Sequence, residues 1–181
     1  SKVRPKQLVE RIDQFKLEKD DTYQFSQYPE DEFWIITDVD KNWSNEIINS
    51  NNGKTYYDEW NEAMDMCQSK GYGYAISNPF FEFWLLLHHD SPNNADKSFA
   101  ITETHPYEKT DHFRLRLRNL NAPLKDKKHI NPLDYNINNV RTAIFRAEML
   151  HQNKTDLCPK YLSTTVYILL KKMMNMLPKN N

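Results

Sequence analysis

The stretch that decides the fold is Phe33-Trp34-Ile35-Ile36-Thr37-Asp38-Val39-Asp40, FWIITDVD. Its first four residues are a continuous apolar, β-favouring run, the pattern of a strand covered on both faces. Asp38 and Asp40 stand at i and i+2, so both side chains leave from the same side if the strand stays extended. Two carboxylates at the carboxyl end of a sheet strand suit Mg²⁺ or Mn²⁺, which prefer oxygen ligands. Open α/β sheets also place their ligand sites at that edge. Asp is also common where strands turn, and the spacing leaves both readings open.

Working outward, Lys41 to Thr55 is rich in Asn and Ser and reads as a loop. Asp58 to Lys70 reads as a helix, with Trp60, Ala63, Met64 and Cys67 on one face, Asp58 as its cap and Gly71 as its end. Tyr72 to Ser77, YGYAIS, reads as a second strand. Strand, helix, strand makes a βαβ unit, normally a right-handed crossover between parallel strands. On the other side, Leu8, Val9, Ile12 and Phe15 recur at helical spacing behind Pro5. Lys19 to Glu32 reads as a polar loop. No strand precedes the first helix and the chain does not begin with Met, which fits a fragment or a disordered beginning.

The second informative stretch is SNPFFEFWLLLHH, Ser77 to His89. Asn78 is suited to cap a helix with Pro79 at its first position. The helix is apolar nearly all round, so it is expected to be buried. Glu82 is its single charge. A buried carboxylate must be paired, protonated or metal-bound, because isolation costs several kcal/mol, roughly. Counting from Asn78, the capping-box position is Phe81, so a capping box does not account for Glu82. A first-turn carboxylate here has two readings, a partner of Asp38 and Asp40 or a structural ion pair. His88 and His89 at the helix end complement the helix dipole. With His105 and His112 they match no standard zinc spacing.

Beyond this helix, Asp90 to Pro106 reads as a polar loop and Glu108 to Asn119 as a helix with Phe113, Leu117 and Leu120 on one side. Arg114, Arg116, Arg118, Lys125, Lys127 and Lys128 form the best candidate phosphate-contacting patch. No nucleic-acid-reading motif accompanies them, so binding would be led by the backbone. A solvated basic face is the competing reading. Two helices close the chain, Ile137 to His151 and about Leu162 to Leu177, and the methionines of the last are expected to fill core.

The 181 residues are 39% hydrophobic and 13% aromatic, enough for a packed core and one medium domain. With three glycines there is no Gly-rich phosphate loop. Cys67 and Cys158 have no CxxC partner and read as reduced thiols, which suggests a cytoplasmic protein. No run approaches the roughly 18 apolar residues of a membrane span. The net charge of −1 conceals an asymmetry. Residues 1–108 carry 10 Lys/Arg against 20 Asp/Glu, and residues 109–181 carry 14 against 5. An acidic site and a polyanion-facing surface would produce this split, as would two halves that attract each other.

The combination of Asp38, Asp40, Ser77, Asn78, Pro79, Phe81, Glu82, Trp84 and His88 resembles the RloB-like family. Ala143, Ala147, Ser163, Thr164 and Tyr167 echo its closing segments more weakly. The resemblance implies one α/β domain over 1–181 of divergent TOPRIM type, a Rossmann-like parallel sheet between helices. Residues 137–177 would be its added C-terminal helices. It further implies a Mg²⁺- or Mn²⁺-dependent nuclease of bacterial anti-phage defence, of the abortive-infection kind, beside an ATPase partner and without a membrane. Asp38, Asp40 and Glu82 would be catalytic and metal-binding, and Ser77, Asn78 and His88 would line the pocket. The substrate would be DNA or RNA. The alternative is a non-catalytic nucleic-acid- or protein-binding module. TOPRIM proteins also carry a catalytic Glu after an upstream strand, which has no counterpart here; Glu10 lies mid-helix and is a poor substitute.

Overall fold

Pro5 opens the first helix, α1 (Pro5–Tyr23), where a missing N–H is no loss. The computed structural model describes residues 3–102, 104–122, 130–153, 155 and 158–176. Contacts divide the chain into two compact units, Ser1–Thr37 with Lys41–Tyr74, and Asp38–Asp40 with Ala75–Asn181. Among the described residues there are seven α-helices and a three-stranded sheet.

In the first unit, α1 packs on α2 (Tyr56–Lys70) around Val9, Ile35, Ala63, Cys67 and Tyr72. Helix α1 continues through residues 19–23, expected as loop, and stops where Gln24 turns left-handed and donates its N–H to Asp20 O at 2.7 Å. Helix α2 starts before Asp58. Its cap is Thr55, whose Oγ1 accepts from Asp58 N–H while Asp58 Oδ2 accepts from Thr55 N–H, a reciprocal capping box. Gly71, at φ 69°, ends it as expected. Buried Glu59 pairs with Arg4 and accepts from the amides of Asn49 and Asn52, which ties the Asn-rich loop to α2.

Strand β1 (Trp34–Asp38) buries Ile35 but leaves Ile36 51% exposed, so the apolar run is not covered on both faces. Strand β2 (Gly73–Asn78) runs parallel to it: Gly73 N–H donates to Phe33 O at 2.8 Å and Val39 N–H to Ser77 O at 2.9 Å. Gly73 has no room for a side chain, because a Cβ there would come within 2.6 Å of three ring carbons of Trp34. Gly73→Ala is therefore expected to lower stability by roughly 1–3 kcal/mol through overpacking. A urea midpoint equal to the parent's would show that Trp34 yields at no cost.

In the second unit, strand β3 (Ser163–Thr164) pairs antiparallel with β2, Ser77 opposite Thr164 and Asn78 opposite Ser163. The sheet order is β1-β2-β3, so the sheet is mixed rather than wholly parallel. The expected last helix thus begins later, as α7 (Val166–Met176). The reason lies in Thr165, whose N–H donates to Ile76 O and whose Oγ1 accepts from Ile76 N–H, both at 2.8 Å, holding this segment on β2. Helix α3 (Phe81–Leu86) is buried as its composition requires. It packs against α5 (His112–Asn119), α6 (Ile137–Leu150) and β3. A single turn, α4 (Asn94–Lys97), capped by Asn93, interrupts the expected loop after α3. Met173 and Met176 are exposed, against the expectation of core filling. Among the described residues no helix is long and apolar enough to cross a membrane.

Candidate functional site

Asp38, Val39 and Asp40 belong to the second unit together with everything from Ala75 onward. Val39 is fully buried, and its N–H bond to Ser77 O carries the ladder one residue past β1. Asp40 N–H then donates to Pro79 O at 3.2 Å. Asp40 has φ 42° and opens a 3₁₀ turn, Asp40–Trp43. The strand therefore ends at Asp38, and the left-handed step at Asp40 breaks the two-residue alternation expected to align the acids. Asp38 and Asp40, both half-buried residues, flank a pinned apolar residue at the carboxyl edge of the sheet, and the Oδ1 of Asp40 is buried.

The end of β2 is built to hold its neighbours. Ser77 and Asn78 are fully buried, and Ser77 Oγ shares a hydrogen bond with Thr164 Oγ1 at 2.9 Å. Asn78 does not cap α3. Its Nδ2 donates to Ile101 O at 2.8 Å and to Pro159 O at 2.9 Å, and its Oδ1 accepts from Ile101 N–H at 2.8 Å. It closes three backbone groups of two distant segments at once. The Asn78–Pro79 bond is cis, and the cap of α3 is Phe80.

Glu82 lies in the first turn of α3 and is engaged by Arg114 of α5, through Nε at 2.6 Å and through Nη2. Arg116 is held by Asp90 and Asp96. Asp96 is fully buried; it also accepts from Asn93 N–H at 2.7 Å and meets His112 Nε2 at 2.6 Å. Two of the arginines expected to contact phosphate are thus committed to carboxylates, while Arg118 is exposed. Lys125, Lys127 and Lys128 lie outside the described residues. Sequence reasoning misses the Asp96 network. Its one local signal is Asn93 followed three residues later by Asp96, a capping pattern hidden in a polar stretch.

A family model described as RloB-like protein matches residues 1–173. The chain belongs to the RloB-like family. No curated protein and no solved structure matches it.

His88 of this RloB-like chain is buried among the rings of Trp84 and Tyr135, and its Nδ1 lies 3.0 Å from Trp84 O. Burial pushes its pKa down to about 4. His88 is therefore neutral at pH 7 and does not serve as a charged end to the helix dipole; burial lowers His89 as well. The unfolded chain binds a proton at His88 below about pH 6.5 that the folded chain refuses until about pH 4. Its contribution is complete above pH 6.5 and falls as pH drops, by up to about 1.4 kcal/mol per pH unit. His88→Gln is expected to flatten the stability–pH curve between pH 6.5 and 4, measured by urea unfolding. A parallel curve would place the titration elsewhere.

Among the described residues no three His, Cys, Asp or Glu side chains are grouped to hold a metal ion. Asp38, Asp40 and Glu82 are therefore not brought together as one ligand set, and Glu82 already faces a cation. The Asp38–Asp40 pair by itself fits the donor chemistry of Mg²⁺ or Mn²⁺, which take one or two carboxylates and fill the remaining positions with water and phosphate oxygens.

Proposed function

We propose that this RloB-like protein acts on nucleic-acid phosphodiesters with a divalent metal, as a nuclease-like component of bacterial anti-phage defence. The observation that carries the reading is Asp40. A non-glycine residue held at positive φ, by an N–H bond to Pro79 O and beside a fully buried Val39, is a strained position that the surrounding structure enforces. Such positions collect at functional sites, and this one falls at the sheet edge where α/β folds bind ligands.

In this reading Asp38 and Asp40 would hold the ion, which supplies charge neutralisation at the scissile phosphate and an activated water. Glu82 orients Arg114 rather than binding metal. Arg118 is open to a phosphate, whereas Arg114 and Arg116 reach one only by releasing their carboxylates. A divergent TOPRIM-type frame, a cytoplasmic setting and an ATPase partner belong to the same proposal. The Glu82–Arg114 pair favours a second reading, a non-catalytic module that uses its acids structurally.

Titration of Mn²⁺ against thermal stability separates the two. The parent is expected to gain about 2.7 kcal/mol at a hundred times the dissociation constant, and Asp38→Asn/Asp40→Asn is expected to gain nothing. Absence of a gain in the parent, with nucleic acid still bound in EDTA, would favour the second reading.

A further inference from the structure

A cavity of ≈ 200 Å³ opens in the second unit, where the end of α6, the segment Pro159–Tyr161 and β3 meet. One water needs only about 10–15 Å³ of such space, so there is room for a ring-sized ligand. Ser163, which is 3% exposed, is among the cavity's lining residues. The Ser163 Oγ is buried and has no hydrogen-bond partner. The neighbouring hydroxyls on this sheet, Ser77 and Thr164, satisfy each other, so Ser163 is the exception. A buried hydroxyl left alone is costly, so a ligand group that reaches it gains a hydrogen bond that the protein itself does not supply.

The walls are fixed in advance. Asn78 holds the carbonyl of Pro159 from behind, and His151 Nδ1 is 2.9 Å from Tyr167 Oη. Leu150 and Pro159 give the lining apolar surface, and Tyr161 is 67% exposed. Gln152 and Asn153 add side-chain amides to the lining. The Oδ1 of Asn153 is taken by Thr155, which leaves its Nδ2 as a donor. Lys160 brings one positive charge to the lining. A simple anion would leave the apolar lining of Leu150 and Pro159 unused. A purely apolar ligand would leave Ser163 unsatisfied. A planar ring with polar edges and a nearby phosphate uses all of these features.

We propose that this cavity binds a nucleotide, with its base against Tyr161 and Ser163 and its phosphate toward Lys160. The nucleotide is either free or one unstacked unit of a strand. The site is separate from Asp38 and Asp40 and needs no metal.

Calorimetric titration in EDTA tests it, using AMP, GMP, CMP, UMP, a short single-stranded oligonucleotide, ribose 5-phosphate and inorganic phosphate. Saturable binding of a mononucleotide is expected, weakened roughly tenfold or more by Tyr161→Ala through lost stacking. Ser163→Ala should weaken it by roughly fivefold or more while melting no lower than the parent, since its hydroxyl supports nothing in the free protein. Binding of the oligonucleotide alone, with the same loss in both variants, would identify a strand as the source. The proposal is overturned if nothing binds, if ribose 5-phosphate or phosphate binds as tightly as the nucleotides, or if both variants bind like the parent. Because metal is excluded, none of these outcomes depends on the reading of the Asp pair.

Discussion

Asp96→Ala is expected to destabilise the protein by roughly 3–5 kcal/mol, the cost of removing one partner from a buried ion pair. Asp96 has no exposed surface, and each of its oxygens is used. One accepts from Asn93 N–H and pairs with Arg116, and the other meets His112. The substitution would remove the Asp96 half of the α4 capping box, the bond to Asn93 N–H, and leave Arg116 to Asp90, whose side chain is 45% exposed. A pair that open to water compensates little. Asp96→Asn keeps the shape and the cap but loses the charge, and should cost less, roughly 1–3 kcal/mol. Urea unfolding followed by circular dichroism measures both. A loss under about 1 kcal/mol for the Ala variant would mean that water replaces the carboxylate and that the network does not hold α5.

Under the nuclease function proposed above, Asp38→Asn should reduce metal-dependent cleavage by at least about 100-fold with little change in stability. An ion that supplies even ~3 kcal/mol of transition-state stabilisation accounts for that factor. Asp40→Gly is the sharper variant. Glycine removes the penalty of a positive φ, so stability should hold or rise by up to about 1 kcal/mol while the carboxylate disappears. Activity lost with stability retained marks a residue kept for function at the expense of the fold. Glu82→Gln should behave in the opposite way, lowering stability through the loss of Arg114 while metal-dependent stabilisation persists. Full cleavage by Asp38→Asn would remove the strand end from the chemistry, and loss of metal stabilisation in Glu82→Gln would return Glu82 to the ligand set.

The local order of the chain is legible in its residues. Apolar spacing locates α1 and α2, Gly71 marks a helix end, and the run after Pro79 announces a buried helix. These signals are local because caps, left-handed glycines and hydrophobic periodicity act within a turn or two of the residues that carry them. Boundaries shift for equally local reasons, as where Thr55 rather than Asp58 caps α2.

What the sequence by itself determined is therefore the βαβ order, the buried α3 and the acidic pair at a strand end, together with the motif that places the chain in the RloB-like family. Tertiary structure alone decided how those residues are used. Ser163 and Thr164 became sheet, and Thr165 was held beside them, because β2 offered hydrogen bonds across more than eighty residues of chain. Asn78 became a clamp on Ile101 and Pro159 instead of a cap. Glu82, Arg114, Arg116 and Asp96 found one another across helices, and His88 lost its charge to burial. The physical reason is common to all of them. The energy of a charge or of a hydrogen-bonding group depends on its desolvation and its partner, and distant segments supply both.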